Sequence, residues 1–456
     1  MIDGVRHDAG TPWYHGITRY QWLVLTIASL GWVFDIYEGQ IFVSTMNEWK
    51  KDLVPPEHAS FFGNLALAAF LVGGALGGVV FGVISDRIGR TKTMILTILV
   101  YSLFSFATAF ARSQWDMAIL RFLVALGVGG EWAVASAMVA EVFPARARAR
   151  FGAFFHATSV LGTYLAVLAG VFVVPTLGWR WAFALGALPA LLTLWIRWRL
   201  REPERWQRAR DEAARDATKR TGRLGELFDG AHLRRTLIGV GFAAVGLATF
   251  WGAHIYGKDF LHGFEVRELL RVEGVRAESG AAVRAAVLAA HERELKFAEM
   301  LGMFLVTTGG GMGLLAFGPL CERFGRRGAF LFFHAGGLAI SLVFFHGVFD
   351  AGRLGLWFGL PVFGFLTLGM HAGYAVYFPE LFPTRLRGTG AGFCFNAGRI
   401  VAAPILILKG VLQSPEGDGG WGYTAEEAGA LLCWLFLAGV VLVLFAPETR
   451  GQELPE

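Results

Sequence analysis

Charged residues are scarce in this chain, and their scarcity excludes most soluble folds of its size. Only 17% of the 456 residues are charged, whereas 55% are hydrophobic, and the mean hydropathy is +0.50. A soluble protein of this length buries a large core but needs more polar surface than this. The sequence instead repeats apolar stretches of about 20 residues, the length that an α-helix needs to span a bilayer.

Cysteines and catalytic motifs are equally sparse. The three cysteines, Cys321, Cys394 and Cys433, lie in or beside apolar stretches without a CxxC pair, which favours small buried side chains over metal or disulfide roles. No nucleophile elbow, HExxH or Walker sequence is found, and the acids and histidines lack the spacing of metal ligands. We therefore expect no enzymatic activity, no metal and no cofactor. Basic residues occur in short connections, so we expect no nucleic-acid partner.

The apolar stretches predict an all-α polytopic membrane protein with twelve spanning helices. The stretches are too long for barrel strands, and lipid leaves helices as the other way to satisfy the backbone. The predicted spans lie near 20–45, 59–84, 93–111, 115–139, 152–174, 179–198, 236–258, 298–320, 329–348, 355–378, 388–412 and 427–445. The polar N-terminal stretch and the long first span predict no cleavable signal peptide.

Arginine and lysine mark one side of the predicted membrane protein. They cluster in the connections after spans 2, 4, 6, 8 and 10, which all lie on one side, and the positive-inside rule makes that side cytoplasmic. Both termini are then cytoplasmic, in a multi-pass protein of the cell membrane. We predict a six-helix half at 1–200, a linker at 201–235 and a second half at 236–456, with an extracytoplasmic insertion at 259–297.

The insertion is rich in charges of both signs. Its alanine-rich stretch Ala281–Ala290 predicts a helix that extends rigidly into the eighth span. The insertion is interpreted as a solvated cap, with partner docking or a lid as the alternatives.

Three short sequences recur in the same order in the two halves. GVISDRIGR at 82–90 is echoed by GPLCERFGRR at 318–327, EVFPAR at 141–146 by ELFPTR at 380–385, and EPER at 202–205 by PETRG at 447–451. The offsets are 236, 239 and 244 residues. A duplicated half of this kind places the substrate path between the halves, near the bilayer midplane. We therefore predict two pseudo-symmetric six-helix bundles.

These sequences resemble those of the major facilitator superfamily, along the whole chain. GVISDRIGRTK is similar to its loop between helices 2 and 3, and Arg121 followed by GVGG to its helix 4 motif. EPERW and PETRGQELPE resemble the ends of the halves in sugar-porter-like and organic-acid transporters. The resemblance implies alternating access. Glycines in the loops permit tight turns, and acid–arginine pairs can hold the cytoplasmic side shut or serve only as topological anchors. The residues assigned to this gating are Gly82, Asp86, Arg87, Gly89, Arg90, Arg121, Glu141, Arg146, Gly318, Glu322, Arg323, Gly325, Arg326, Glu380 and Arg385.

Acids within the predicted spans are candidates for proton coupling, because a charge in the bilayer costs a few kcal/mol, about 3 on insertion scales. Asp35 and Glu38 lie three residues apart on one helix face, and two close carboxylates in low dielectric resist joint ionisation. Glu131 is an alternative proton carrier. A permanent arginine partner for Glu131, or a water-filled vestibule around Asp35 and Glu38, would remove that role.

Arg399 is the leading candidate for substrate binding. Its guanidinium group stays protonated, and the paired N–H donors of this planar group match the two oxygens of a carboxylate. Because Arg399 lies midway along an apolar helix, its charge needs an anionic partner. That partner is either the substrate's carboxylate or an acid of the protein such as Asp35 or Glu131. Asn396 lies one turn earlier. His254, His371 and Tyr374 are further candidates, either in the same cavity or as packing residues.

Organic-acid:proton symporters, including monocarboxylate, aromatic-acid and sialic-acid permeases, resemble this pattern most. Asp35-Ile-Tyr-Glu38 stands where the aromatic-acid branch has Asp-Gly-Tyr-Asp, and the glutamine pairs of sugar porters in helices 5 and 7 are absent. We predict proton-coupled uptake of a small organic anion by a monomer, with the solute, the proton and the bilayer as its partners. The alternatives are a sugar or polyol transporter, an exporter of the same fold, or a transporter-shaped sensor or scaffold without net flux.

Overall fold

The computed structural model describes residues 13–55, 58–275, 280–346, 352–413 and 421–456. Within these ranges the chain folds into α-helices joined by short turns and contains no strand, which confirms the all-α prediction. The outer surface exposes large apolar side chains such as Leu103, Phe110, Phe172, Trp198 and Phe358. An exposed apolar surface of this extent is typical of contact with lipid.

The N-terminal half and the linker supply the first eleven helices. They are α1 (Arg19–Ser44), α2 (Met46–Leu53), α3 (Ala59–Ile88), α4 (Arg90–Thr108), α5 (Gln114–Val142), α6 (Ala145–Ala157), α7 (Ser159–Leu168), α8 (Val174–Leu177), α9 (Trp179–Ala184), α10 (Pro189–Arg199) and α11 (Glu204–Arg215). A π-helical turn, Ala169–Val173, joins α7 to α8, and a 3₁₀ turn, Leu185–Ala187, follows α9.

The C-terminal half supplies the other nine helices. They are α12 (Gly230–Gly252), α13 (Gly257–Val272), α14 (Ala281–Ala290), α15 (Glu292–His346), α16 (Gly352–Leu368), α17 (Ala372–Leu381), α18 (Arg387–Gln413), α19 (Ala425–Leu432) and α20 (Leu435–Phe445). The 55-residue α15 bends sharply at Gly325, where the backbone leaves the helical region, and so contains two predicted spans. Residues 347 and 348 of the second of these spans lie outside the described residues.

Eight helical segments of the described chain are long and apolar enough to cross a membrane. They are Leu65–Ile88, Arg90–Thr108, Gln114–Val142, Ala145–Leu177, Gly230–Val272, Phe297–His346, Gly352–Leu381 and Glu426–Phe445. The segment Phe297–His346 covers two of the predicted spans. Helices α1 and α18 match the predicted spans 20–45 and 388–412 in length, but they carry Asp35, Glu38 and Arg399 among their apolar residues.

Glycines allow the helices to approach closely. A Cβ atom added at Gly73 or Gly77 of α3 would overlap the carbonyl oxygens of Phe122 and Leu126 on α5. At Gly129 of α5 an added Cβ would overlap the backbone of α3. In the absence of a hydrophobic driving force between helices in lipid, such backbone-to-backbone packing is what holds them together.

The insertion is helical and packs on its own half. Helix α14 has the predicted bounds Ala281–Ala290, but His291 interrupts the helical backbone before α15 begins, so the predicted rigid extension is broken there. Helix α13 packs against α15 and α16. It is joined to later segments by the ion pairs Arg267–Glu426 at 3.2 Å and Arg353–Glu265 at 2.7 Å. Residues 276–279 of the insertion lie outside the described residues.

Candidate functional site

Two glycine turns, one in each half, stand at the end of the molecule that carries the linker, which we call the linker side. Gly89 separates α3 from α4 with φ of 119°, and Gly325 bends α15 with φ of 79°. A side chain at either position would be strained and would also meet a carboxylate, Glu202 at Gly89 and Glu448 at Gly325. The turns therefore require glycine for two separate reasons.

Glu202 and Glu448 cap the helices that follow these turns. Glu202 accepts hydrogen bonds from the backbone N–H groups of Arg90, Thr91 and Lys92, at 2.7 to 3.3 Å. Glu448 accepts from the N–H groups of Arg326 and Arg327, at 2.9 and 3.1 Å. Carboxylates at helix N-termini satisfy otherwise free donors and complement the helix dipole. In both halves, therefore, a glutamate of the third repeated sequence caps the helix that begins at the end of the first repeated sequence.

The arginine after each turn is bound by the acid of the second echo. Arg90 contacts Glu141 through Nε and Nη2, at 3.4 and 2.8 Å, and also contacts Asp86 at 2.5 Å. Arg326 contacts Glu380 in the same two-pronged manner, at 3.0 and 2.6 Å. These forked contacts fix the arginine plane as well as its position.

The two halves are joined through the same acids. Arg387 of the C-terminal half donates to Glu141 of the N-terminal half at 2.9 Å, and Arg148 of the N-terminal half lies 3.8 Å from Glu380. Each of these arginines also donates through Nε to a backbone carbonyl of its own half, at 3.1 Å for Arg148 and 2.9 Å for Arg387. Asp86 makes a third connection between the halves. We call Asp86, Glu141, Arg148, Glu380 and Arg387 the latch.

Asp86 binds the first turn of α18 across the interface between the halves. Its carboxylate accepts from the N–H groups of Gly388 and Thr389, at 3.0 and 2.7 Å, and from the Thr389 hydroxyl at 2.6 Å. All five side chains of the latch are at least nine-tenths buried. The linker side of the molecule is therefore closed by charged groups that are withdrawn from water.

The remaining predicted gating residues lie around the latch, with one exception. Glu322 pairs with Arg150 of the other half at 2.5 Å, and Arg385 pairs with Glu226 of the linker. The others contact neighbouring backbone or close-packed helices: Gly82 at Gly388, Arg87 at Gly222, Arg146 at His15, Gly318 at Arg150 and Arg323 at Arg450. The exception is Arg121.

Arg121 lies towards the opposite end of α5, with Glu38. Its Nη1 is 3.7 Å from the Glu38 carboxylate, its Nη2 donates to Thr108 at 2.6 Å, and its Cζ lies 4.6 Å from the centre of the Phe183 ring. Both Glu38 oxygens also accept from the Ser105 hydroxyl, at 2.7 and 2.8 Å. Glu38 is thus neutralised and hydrogen-bonded within the N-terminal half.

Asp35 and Glu131 form a separate pair of buried acids. Neither Asp35 oxygen has a hydrogen-bond partner among the described residues, and the same is true of one Glu131 oxygen. The other Glu131 oxygen accepts from Thr97 at 2.5 Å. Asp35 is close enough to Glu131 and to Arg399 to interact with both electrostatically. The two acids of α1 thus differ in their partners, because Glu38 is paired with Arg121 whereas Asp35 has no hydrogen bond among the described residues and lies near both Glu131 and Arg399.

Arg399 projects from the middle of α18 between the halves. Its Cζ lies 4.8 Å from the centre of the Phe395 ring, and its Nη1 donates to the Asn396 oxygen at 3.3 Å. A Cβ at Gly74 of α3 would lie 2.9 Å from Nη1. Among the described residues Arg399 makes no other hydrogen bond. We call Asp35, Glu131 and Arg399 the central cluster.

Asn396 and Tyr374 are more firmly packed than the central cluster. The Asn396 amide donates to the Gly392 carbonyl at 2.8 Å, and Gly78 of α3 leaves room for it. The Tyr374 hydroxyl donates to the Phe242 carbonyl at 3.1 Å. Both side chains are buried. Tyr374 bonds to backbone, whereas Asn396 bonds to backbone through its nitrogen and accepts from Arg399 through its oxygen, so Asn396 stays in contact with the central cluster.

The two predicted histidines both lie beside Phe250. His254 bonds to the Thr367 hydroxyl through Nδ1 at 2.7 Å and stacks on Phe250 at 5.1 Å. His371 lies near Phe250 and Tyr374, and its buried Nε2 has no partner in the described part of the chain. Among the described residues, therefore, neither Nε2 atom has a hydrogen-bond partner, and that of His371 is buried.

Several residues at the interface between the halves were not predicted from the sequence. Trp132 of α5 stacks on Phe395 of α18 at 4.3 Å and donates to Nδ1 of His156 at 3.2 Å. Arg148 and Arg387 belong to the latch but stand just beyond the echoed sequences. Their spacing could have identified them, because Arg148 follows Glu141 by seven residues and Arg387 follows Glu380 by the same number. His156 gave no such signal.

Metal-binding chemistry has no support among the described residues. No three of their histidine, cysteine, aspartate or glutamate side chains are grouped to hold an ion. The three cysteines are buried and unpaired.

Comparisons with known proteins identify the family and the fold. Residues 22–405 match the family model of the Major Facilitator Superfamily. The niacin transporter NiaP of Acinetobacter baylyi is 28% identical over 96% of this chain and 96% of its own length. The sialic acid transporter NanX of Escherichia coli is 28% identical over 87% and 89%. The structure of the proton:xylose symporter XylE bound to 6-bromo-6-deoxy-D-glucose has the same fold, with a TM-score of 0.69, 17% identity and coverage of 95% and 98%.

Proposed function

The chain belongs to the Major Facilitator Superfamily, and from that premise we propose that it takes up a small organic anion together with protons. It is a multi-pass transporter of the inner membrane and not an enzyme. Alternating access would move the two halves about the central cluster, opening one side while the other is closed. The names of the relatives support this class of substrate, because niacin and sialic acid are carboxylic acids.

The proposed architecture has twelve spans in two halves, 1–200 and 236–456, with both termini cytoplasmic. Seven of the spans are the other apolar helical segments given above, α15 contributes two, and the charged helices α1 and α18 contribute one each. Helices α9 and α10, joined by the 3₁₀ turn Leu185–Ala187, together form the remaining one. The linker side then faces the cytoplasm, as the positive-inside rule predicts. The transporter functions as a monomer in this proposal.

Arg399 carries the proposal for the substrate. Its guanidinium is half-buried between the halves, and one of its five N–H groups donates a hydrogen bond to Asn396. A charge withdrawn from water needs an anionic partner, and Asp35 is near enough to interact with it. A substrate carboxylate that takes the place of Asp35 beside Arg399 would receive two parallel hydrogen bonds from the fork.

Asp35 and Glu131 are the proposed proton carriers. Both are fully buried, no arginine contacts Glu131, and both Asp35 oxygens lack hydrogen bonds among the described residues. When the substrate occupies Arg399, Asp35 loses its counter-charge, and a proton removes the cost of leaving its carboxylate unpaired. Substrate and proton would therefore bind together. Glu38, already paired with Arg121, has a structural part in this scheme.

Reconstituted protein tests the proposal. Uptake of radiolabelled nicotinate into proteoliposomes should follow an inwardly directed proton gradient and fall when the gradient is collapsed. Arg399→Gln should weaken substrate binding by about 2 kcal/mol or more, roughly thirtyfold. Arg399→Lys keeps the charge but loses the fork, and it should not restore binding fully.

Arg353→Gln is the matched control, because Arg353 pairs with Glu265 in an exposed ion pair away from the central cluster. Uptake unaffected by Arg399→Gln would exclude the carboxylate-binding role of Arg399. Flux of a sugar or polyol in place of carboxylates, flux only outward, or binding without flux would favour the other candidate functions.

A further inference from the structure

A groove runs between α12 and α20 on the outer surface of the C-terminal half. It lies at the linker side, where α12 begins at Gly230 and α20 ends at Phe445. Its volume is about 390 Å³. Its walls are mostly apolar and are formed by Leu233, Leu237, Ile238, Leu442 and Phe445. Walls of this kind suit a hydrocarbon chain.

Two arginines stand at the linker-side end of the groove. Arg234 lines the groove and donates through Nη2 to the Phe445 carbonyl at 3.1 Å. Arg327 donates through Nε to the Val443 carbonyl at 3.1 Å and through Nη2 to the Leu444 carbonyl at 3.4 Å. The two guanidinium groups therefore bind neighbouring carbonyls in the last turn of α20, so they lie close together.

Capping of α20 uses only part of these two side chains. Each guanidinium has five N–H donors, of which Arg234 uses one and Arg327 uses two. Neither guanidinium forms an ion pair with a described residue, and Glu448 accepts from the backbone N–H of Arg327 rather than from its side chain. Both arginines are exposed. Two positive charges thus lie at the end of an apolar groove without a counter-charge from the described chain.

The first turn of α12 adds a third element that attracts anions to the same place. Gly230 lines the groove, and a Cβ atom added there would meet no atom within 4 Å, so its backbone is accessible. The side chain of the N-cap residue, Asp229, makes no capping hydrogen bond. The N–H groups of Gly230 and Ala231 have no acceptor in the described ranges. Free N–H groups at a helix N-terminus bind phosphate groups.

We propose that this groove binds an anionic phospholipid of the leaflet on the linker side. An acyl chain lies along Leu237 and Phe445, and the phosphate lies between Arg234, Arg327 and the first turn of α12. Basic residues between helices at the cytoplasmic surface bind anionic headgroups in this way. A zwitterionic lipid is disfavoured, because its ammonium group would face the two arginines. The groove is apart from the central cluster, so this inference goes beyond the proposed function and does not depend on the substrate.

Three single variants and one control of matched charge test the two parts of the contact. Arg234→Gln and Arg327→Gln each remove one cation from the end of the groove. Arg208→Gln removes a cation from the same side of the molecule, where Arg208 forms an exposed ion pair with Glu204, and it is the control. Leu237→Trp keeps both arginines and fills the groove with a larger side chain, so it tests the acyl chain separately.

The experiment measures lipid binding to the purified full-length protein by native mass spectrometry. Phosphatidylglycerol is compared with phosphatidylethanolamine of the same acyl chains, and sn-glycerol 3-phosphate serves as a soluble phosphate without a chain. We expect the wild type and Arg208→Gln to bind phosphatidylglycerol at least about fivefold more tightly than phosphatidylethanolamine. Arg234→Gln and Arg327→Gln should each weaken its binding about fivefold, the value of one basic side chain at a membrane surface. Leu237→Trp should also weaken it, and the soluble phosphate should bind far more weakly because it buries no hydrocarbon.

Thermal unfolding separates lipid binding from the capping of α20. Loss of either arginine removes a cap and lowers the unfolding temperature without added lipid, whichever role the arginine has. Phosphatidylglycerol should raise the unfolding temperature of the wild type and of Arg208→Gln, because a ligand of the folded state stabilises it. The same lipid should raise that of the double variant Arg234→Gln/Arg327→Gln much less.

Four results would overturn the inference. They are equal affinity of the wild type for the two lipids, an equal loss of binding in Arg208→Gln, a lipid-induced rise as large in the double variant as in the wild type, and binding of sn-glycerol 3-phosphate as tight as that of the lipid. None of these measurements involves transport, so each of these results leaves the proposed function intact.

Discussion

Arg387 and Glu141 lie 246 positions apart in the sequence, yet Nη1 of the arginine is 2.9 Å from Oε1 of the glutamate. Both side chains are buried, and the pair joins the C-terminal half to the N-terminal half. Glu141 also holds Arg90, so one carboxylate supports arginines from both halves. Transport by alternating access requires this contact to break and reform.

Glu141→Gln should open the linker side. Removing one partner of a buried ion pair costs about 3–5 kcal/mol, because the remaining charges lose their compensation. The cost falls on the closed state, so the population should shift towards the open one. Lys92 and Arg323 are exposed on the linker side of opposite halves and can carry spin labels. Double electron–electron resonance should show a longer distance between the two labels in Glu141→Gln than in the wild type.

Glu265→Gln is the control for that measurement, since Glu265 pairs with Arg353 within the C-terminal half. Unchanged distances in Glu141→Gln would show that the latch does not set the closed state.

Gly89→Ala and Gly325→Ala should both destabilise the protein, and by similar amounts. Positive φ costs an alanine roughly 1–2 kcal/mol, and the added methyl group would also displace the cap of Glu202 or Glu448. Thermal unfolding in detergent measures the loss. Gly178→Ala separates the two causes, because Gly178 has a similar backbone conformation, with φ of 86° and ψ of 166°, but open space around it. A loss no larger than in Gly178→Ala would mean that the caps contribute little.

Gly77→Ala should loosen the N-terminal half. The methyl group would meet the Leu126 backbone, which cannot move aside as a side chain can, and overpacking of this kind typically costs about 1–3 kcal/mol. The thermal unfolding temperature and the yield of folded protein should both fall. Gly225→Ala, at a linker position with no atom nearby, should leave both unchanged. Equal behaviour of the two variants would contradict the close contact of α3 and α5.

Asp35→Asn should separate substrate movement from proton movement. The amide cannot carry a proton, so uptake driven by a pH gradient should be lost, while exchange of internal for external substrate should continue. Glu38→Gln should differ, because it leaves Arg121 without a counter-charge and so lowers stability by about 3–5 kcal/mol. Gradient-driven uptake by Asp35→Asn at the wild-type rate would exclude Asp35 as a proton carrier.

The repeated sequences predicted much of the latch because their chemistry is local. A glycine, an acid and an arginine at fixed spacing imply a turn and an ion pair, and these are found around Gly89 and Gly325. The exchange of partners between halves was not predictable, because nothing in a linear sequence shows whether Glu141 meets an arginine of its own half or of the other. In the structure it meets both.

The different partners of Asp35 and Glu38 show a further limit of prediction from sequence. Residues three apart on a helix share a face, but side chains directed into a bundle meet different neighbours, and here one meets Arg121 while the other lies near Glu131. His156 was missed for a related reason. A single histidine in an apolar helix resembles a packing residue, and only the structure shows that Trp132 donates a hydrogen bond to it.

The arrangement of Glu141, Arg148, Glu380 and Arg387 has the form of an isologous interface. Glu141 meets Arg387 while Glu380 meets Arg148, and equivalent residues of the two halves are both 239 positions apart. Two identical subunits related by a two-fold axis would make the same pair of contacts. The linker is therefore a covalent tie across an interface that already specifies its own pairing, and halves expressed as separate chains carry complementary surfaces for reassembly.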